Sequence, residues 1–255
     1  MTQHPQLTRP ASLGNDPIVL YFHHVGKPFD SYLSISTEEF TQLVDLVCTV
    51  ADEYRTMAGS ETIDFQFTFD DGYRDTLHHA LPVLESRGLR STLFVNSSTI
   101  GRSIEVNGSR RPYATVTWSE LVESSRRGHS IGAHGYRHAR WDSLNVADVD
   151  AEVAGDLRCF DEHLGLRPSA FAFPYGVLPP RLPTALESYE CFATANIPAA
   201  HRHCRPGAIR RVYLPARQRS HWEHLVRSWL ASRWDSDCQH CHCNTRAVGR
   251  AATHA

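Results

Sequence analysis

Three short stretches of this sequence carry side chains that could do chemistry. The first is Thr68-Phe69-Asp70-Asp71-Gly72. Two neighbouring carboxylates can serve one site in different roles, or else form a solvated Asp-Asp-Gly turn. The second is His134 and His138, spaced i, i+4. On a helical turn that spacing puts both imidazoles on one side, within reach of a single metal ion. A carboxylate and two imidazoles form a common ligand set for a catalytic ion with positions left open for water and substrate. The alternative is a pair of surface histidines in a chain that holds 16 of them. The third is Phe171-Ala172-Phe173-Pro174-Tyr175-Gly176, an apolar strand stopped by proline with a tyrosine at its exit.

Each stretch falls where the hydrophobic pattern ends a strand. From Ile63 to Phe69 the residues alternate, with Phe65, Phe67 and Phe69 on one face, which reads as a half-buried strand. Asp70 and Asp71 start in opposite directions on such a strand, so a backbone bend must bring them together, and Gly72 permits one. Residues 130–133 form a short strand that presents His134, and 170–174 one that presents Tyr175. Further strands are expected at 18–22, which delivers His23 and His24 to its end, and at 91–96, 191–195 and 211–215. Ser36-x-x-Glu39, Thr117-x-x-Glu120 and Ser220-x-x-Glu223 are capping boxes that open helices. A helix through Leu77, Leu81 and Leu84 should kink or restart at Pro82 and end at Gly88. A longer helix spans Val146 to Leu164, a short one lies near 182–189, and 99–114 reads as a polar loop. Strands alternating with helices make a parallel α/β architecture.

The chain has 255 residues, a length that suits one large α/β domain. Residues 1–16 read as a disordered lead-in, 17–234 as the domain and 235–255 as a flexible tail. In that tail Cys238, Cys241, Cys243, His240 and His242 crowd together without the second ligand pair of a zinc finger. A formal net charge of −2, with no basic stripe interleaved with aromatics, argues against nucleic-acid binding. No run approaches the roughly 18 apolar residues of a membrane span. Residues 1–16 lack the apolar core of a signal peptide, so a cytoplasmic location is expected. The 7 cysteines are irregularly spaced and suggest no disulfide framework. Cys48, Cys159 and Cys191 read as small buried hydrophobes.

Taken in order, the three stretches resemble the motifs of the polysaccharide deacetylase family, carbohydrate esterases (family 4) with a NodB homology domain. T-F-D-D-G is matched letter for letter at 68–72. H-[ST]-x-x-H is matched at His134 and His138, with Gly135 where Ser or Thr is usual. R-x-P-Y is matched at Pro174 and Tyr175, with Ala172 in the arginine position. Phe22-His23-His24-Val25 is similar to a Y-H-x-V sequence common in the family, and the resemblance runs from about Val19 to about Pro215.

The resemblance implies a distorted (β/α) barrel of the NodB type with fewer than eight strands, its site at the C-terminal strand ends. It implies Asp71, His134 and His138 as ligands of a divalent metal, zinc first, with cobalt, nickel or manganese also suited. Asp70 is then the base and the backbone N–H of Tyr175 an oxyanion donor, while Pro174, Tyr175, His23 and His24 contact substrate. The family's late L-x-H motif, which supplies the acid, is missing; His201 or His203 is the expected replacement, then His221. Arg74 or Arg210 is expected to hold the base in place of the missing motif arginine. The implied activity is removal of N-acetyl groups from an N-acetylated saccharide, an intracellular or lipid-linked polysaccharide precursor if the protein is cytoplasmic. The alternatives are hydrolysis of another non-peptide C–N bond, in a formamide or ureide, and saccharide binding without catalysis. Trp118, Trp141 and Tyr136 would stack on sugar rings in the last case, or else sit in the core.

Overall fold

The short apolar runs fold as strands and the amphipathic runs as helices in the computed structural model, which describes residues 18–27, 33–58, 65–105, 111–165, 167–177, 183–187, 189–194 and 208–232. In chain order the strands are β1 (Ile18–Phe22), β2 (His24–Gly26), β3 (Ser34–Ser36), β4 (Phe65–Phe69), β5 (Ser91–Val95) and β6 (Ser103–Ile104). They continue with β7 (Tyr113–Ala114), β8 (Ser130–Ala133), β9 (Ala170–Ala172), β10 (Glu190–Thr194) and β11 (Ala208–Val212). The helices are α1 (Thr37–Ala58), α2 (Asp75–His79), α3 (Leu81–Glu85), α4 (Trp118–Arg126), α5 (Val146–Leu164) and α6 (Trp222–Ser232).

Seven strands close into a parallel barrel in the order β1-β11-β10-β9-β8-β5-β4, with β4 pairing back onto β1. This is the expected barrel of fewer than eight strands. Its seams are unequal. Ile18–Phe22 pairs with Phe65–Phe69 along the whole of β1 and β4, whereas β8 meets β9 through Ala133 and Phe171 alone.

Period-two alternation divides the side chains between two layers. Leu20, Phe22, Phe67 and Phe69 join the core under the helices, where the Phe22 and Phe40 rings meet edge to face at 5.1 Å. Burying one such side chain stabilises the fold by about 1.5–3 kcal/mol. The opposite face of the strands fills the barrel interior with Val19, Phe94, Ala170 and Ala172. Thr68, Asp70 and Arg211 share that interior and are buried.

The first two capping boxes form: Ser36 Oγ accepts from the Glu39 N–H at 3.1 Å, and Thr117 makes the same exchange with Glu120. The third does not. A 3-10 turn, Ala216–His221, runs straight into α6, and Ser220 Oγ lies 3.0 Å from His221 Nδ1. Buried Trp222 sets that junction instead, its indole N–H donating to the Pro215 carbonyl at 2.9 Å. α2 gives way to α3 just before Pro82, as expected. The helix expected near 182–189 is a single 3-10 turn, Thr184–Leu186, and the loop 99–114 contains the antiparallel pair β6 and β7. The last strand begins at Ala208, ahead of the expected 211, because its pairing with β10 extends it upstream. Trp141 is fully buried against Phe171 and Phe173, a core residue rather than a sugar platform. Trp118 stacks on His163 at 4.7 Å, and Cys48 and Cys159 are half-buried. The lead-in 1–16, the tail 235–255, the Cys191 side chain, His201 and His203 lie outside the described residues. Among the described residues, no helix is long and apolar enough to cross a membrane.

Candidate metal centre

Asp70 and Asp71 leave the C-terminal end of β4, His134 that of β8, and Pro174-Tyr175 follow β9, so all arrive at one end of the barrel. The Asp70 N–H still donates to the Phe22 carbonyl at 2.9 Å, which extends the β4 ladder and aims Asp70 into the interior like Thr68. The chain then bends: Asp71 takes φ 66° and Gly72 φ 65°. That bend turns the Asp71 carboxylate back over the same strand ends. Gly72 is required there, since a Cβ would stand 3.0 Å from Val95 Cγ1.

Asp71 Oδ1 lies 3.3 Å from His138 Nε2 and 3.6 Å from His134 Nε2. One donor atom from each of the three residues lies within 4.8 Å of the others. His134 Nδ1 lies 2.7 Å from the Ala172 carbonyl, so that nitrogen carries the proton and Nε2 offers its lone pair. Burial holds the His134 pKa down to about 4, so the ring is neutral, as a metal ligand must be. Asp71 Oδ1 is buried and has no hydrogen-bond partner among the described residues. An orphaned carboxylate oxygen facing two imidazole nitrogens fits a divalent cation.

The histidines do not sit on a helical turn, contrary to the reading of their spacing. Residues 134–138 form a bend with Gly135 at φ 82° and His138 at φ 56°, across which the rings approach to 5.0 Å. Its peptide groups bond to other segments rather than four residues back along the chain. Asp71, His138 and Tyr175 are the positive-φ non-glycine residues among those described, and all three belong to this site. Such conformations cost roughly 1–3 kcal/mol each and persist where surrounding structure imposes them.

Asp70 is held by a bidentate ion pair. Arg211 Nη1 donates to Oδ1 at 2.6 Å and Nη2 to Oδ2 at 2.8 Å, and Nη1 also reaches Thr68 Oγ1 at 3.2 Å. Burial alone would raise the Asp70 pKa. The Arg211 charge and its hydrogen bonds outweigh it and hold the carboxyl well below the usual range. The guanidinium lies 5.1 Å from the Tyr21 ring centroid and 5.3 Å from that of Phe94. This corrects the expectation of Arg74 or Arg210: Arg74 pairs with Glu120 at 2.7 Å, and the holding residue is the next one along β11. The barrel register explains the choice. Arg211 pairs with Val19, which faces the interior, and Ala172 is small enough to leave that interior open.

The remaining expected residues divide. Pro174 is buried beside Gly135, and Tyr175 is 50% exposed with its ring 4.5 Å from that of His138. The turn-closing hydrogen bonds come from the Gly176 and Val177 amides, not from that of Tyr175. His23 is half-buried, contributes to the field on Asp70, and has a buried Nδ1 without a hydrogen-bond partner among the described residues. His24 is not a cleft residue. It is 2% exposed, paired with Asp75, and its Nε2 lies 2.9 Å from the Lys27 carbonyl. His221 lies on the exposed 3-10 turn before α6.

The barrel thus brings three candidate ligands and an ionised carboxylate together at its C-terminal strand ends, where barrel active sites lie. A family profile described as polysaccharide deacetylase matches residues 62–191, and the chain belongs to that family, hydrolases of carbon–nitrogen bonds other than peptide bonds. Its members are metal-dependent in general. YxkH of Bacillus subtilis (strain 168), named provisionally as a polysaccharide deacetylase, is 27% identical over 147 residues, 57% of this chain and 49% of its own length. A chitin deacetylase of Arthroderma benhamiae is 29% identical over 113 residues, 42% of this chain and 26% of that one. The chain thus spans about half or less of the curated relatives it matches. IcaB from Ammonifex degensii superposes with a TM-score of 0.63 at 25% identity, over 88% of this chain and 100% of that one. The deacetylase PplD of Streptococcus pyogenes shares the fold, with a TM-score of 0.58 at 17% identity over 81% of this chain and 93% of that one.

Proposed function

We propose that this protein is a metal-dependent deacetylase that removes N-acetyl groups from an N-acetylated saccharide, with zinc as its resident ion. One observation carries the reading. Asp71, His134 and His138 converge on a common point, while Asp70, 3.9 Å from His134 Nε2, has both oxygens on Arg211. A bound divalent cation supplies Lewis acidity, which activates water and polarises the amide carbonyl.

The chain's own residues supply the rest. Asp70 is ionised at every working pH and accepts the proton from water. Because Arg211 holds its pKa low, Asp70 is a transient acceptor and the proton moves on. His23, at the end of β1, is the imidazole we assign to pass a proton to the leaving amine. The Tyr175 N–H faces the developing oxyanion, a contribution of about 3 kcal/mol for a preorganised donor. Pro174 and the half-exposed Tyr175 ring line the saccharide side.

The test is acetate release from N-acetylglucosamine oligomers by metal-stripped protein, with and without zinc or cobalt. Release that needs the metal and disappears in Asp70→Asn is expected. Folded protein that binds zinc yet releases no acetate sinks the deacetylase reading. Parallel assays on lipid-linked saccharides, formamido sugars and cyclic ureides identify the substrate.

A further inference from the structure

The bend that carries both histidine ligands is fastened from behind by a second pair of carboxylates. Glu152 and Asp156, one turn apart on α5, are both buried. The Gly135 N–H donates to Asp156 Oδ2 at 2.9 Å, and the Arg137 N–H donates to Glu152 Oε2 at 2.9 Å. Asp156 Oδ1 accepts the Ser97 N–H at 3.3 Å, so one carboxylate ties the bend to the segment after β5. That segment answers from its side. Asn96 Nδ2 donates to the His134 carbonyl at 2.6 Å and the Ser98 N–H to the Tyr136 carbonyl at 3.1 Å. Glu152 also accepts Arg137 Nε at 2.6 Å, from a side chain that lies largely in solvent.

A buried carboxylate is costly unless something compensates it. Asp156 accepts from two backbone N–H groups, and Glu152 accepts from the Arg137 N–H and guanidinium. Gly135 stands where the family's motif has Ser or Thr, at φ 82°, and a Cβ there would lie 3.3 Å from Pro174 Cγ. A side chain at 135 therefore meets both backbone strain and Pro174.

We infer that Asp156 and Glu152 are positioning residues for the metal site, setting the bend between His134 and His138 from α5 in a chain that has glycine at position 135. The inference rests on the ligand assignment above. Neither carboxylate touches the reacting atoms. Each acts by fixing peptide groups next to a ligand, so its loss shows in metal affinity before it shows in the fold.

The experiment titrates zinc and cobalt alone into metal-stripped wild-type, Asp156→Asn and Glu152→Gln protein, and records the visible absorption of the cobalt forms. Asparagine keeps the shape of aspartate but turns an NH2 toward one of the two N–H groups. The expected result is zinc binding weakened about 10- to 100-fold in Asp156→Asn, the range for lost outer-shell support, with an altered cobalt spectrum. Asp156→Glu is expected to recover part of the affinity. Unchanged affinity and spectrum in both amide variants overturn the inference, even if their melting temperatures fall, because that pattern is a structural role only. If Asp156→Asn does not fold, Glu152→Gln decides alone. Wild-type protein that binds neither ion refutes the ligand assignment and this inference together, whereas wild-type binding matched by the variants refutes this inference only.

Discussion

Replacing Arg211 by methionine keeps an unbranched side chain in the barrel interior and removes the charge from Asp70. In the wild type the guanidinium is 0% exposed and spans both Asp70 oxygens at 2.6 and 2.8 Å. Unit charges about 4 Å apart attract by about 4 kcal/mol at an effective dielectric near 20. Removing one partner of a buried pair costs about 3–5 kcal/mol, because the other charge is left uncompensated. For a domain of this size the melting temperature should fall by roughly 6–20 °C at neutral pH. The pH dependence fixes the cause. The folded-state pKa of wild-type Asp70 lies below the unfolded value of about 3.9, so its contribution is present above that pH and is lost as pH falls through the folded value. In Arg211→Met, burial loses its main counterweight and raises the pKa, so the destabilisation is relieved as the carboxyl protonates. The gap between wild type and variant should therefore be widest near pH 7 and narrow toward pH 4. Thermal unfolding followed by circular dichroism at pH 7, 5.5 and 4 measures it, and the acidic limb of acetate release should move toward neutrality in parallel. A gap that stays constant across this range would refute the electrostatic account. Arg211→Lys, which keeps the charge and loses the fork, should fall between the two and serves if the methionine variant does not fold.

Three other outcomes are expected. Zinc at about 1,000 times its Kd should stabilise the wild type by about 4.1 kcal/mol and do much less for Asp71→Asn, as read by calorimetry with and without the ion; equal stabilisation would show that Asp71 is not a ligand. Gly132→Ala places a Cβ 2.4 Å from ring carbons of Phe94 and should lower stability by about 1–3 kcal/mol in a urea titration, whereas a neutral result would mean that the interior yields around Phe94. His129 is buried between Ser91 at 2.9 Å and Glu85 at 3.0 Å, and burial lowers its pKa against the pull of Glu85. Its folded value lies below the unfolded one of about 6.5, so stability should decline as pH falls from there, and His129→Gln should flatten that decline.

Much of the site was legible because its signals are local. Period-two alternation ending in Asp70-Asp71-Gly72 is enough to place two carboxylates at a strand end with a bend between them. A strand before His134 and a proline before Tyr175 place those residues at the same level, and the alternation of strands and helices places that level at one end of a barrel. His134 and His138 meet through a geometry other than the one their spacing implies. An i, i+4 spacing reads as one helical face, yet Gly135 and His138 adopt positive φ and the rings meet across a bend. His24 was misplaced because neighbouring residues on a short strand end look alike in sequence, and only packing turned it toward Asp75.

The sequence alone determined which residue types stand at the strand ends, because strand period, glycine turns and proline stops act over a few residues. The tertiary structure decided which distant side chains support them. Arg211 lies 141 residues from Asp70, and Asp156 lies 21 from Gly135. Between Arg210 and Arg211 the choice rested on parity, and parity is set by the register of β11 against β1 when the barrel closes. A one-residue slip there would turn Arg211 away from Asp70. That register is a property of the closed ring of strands, not of any segment within it.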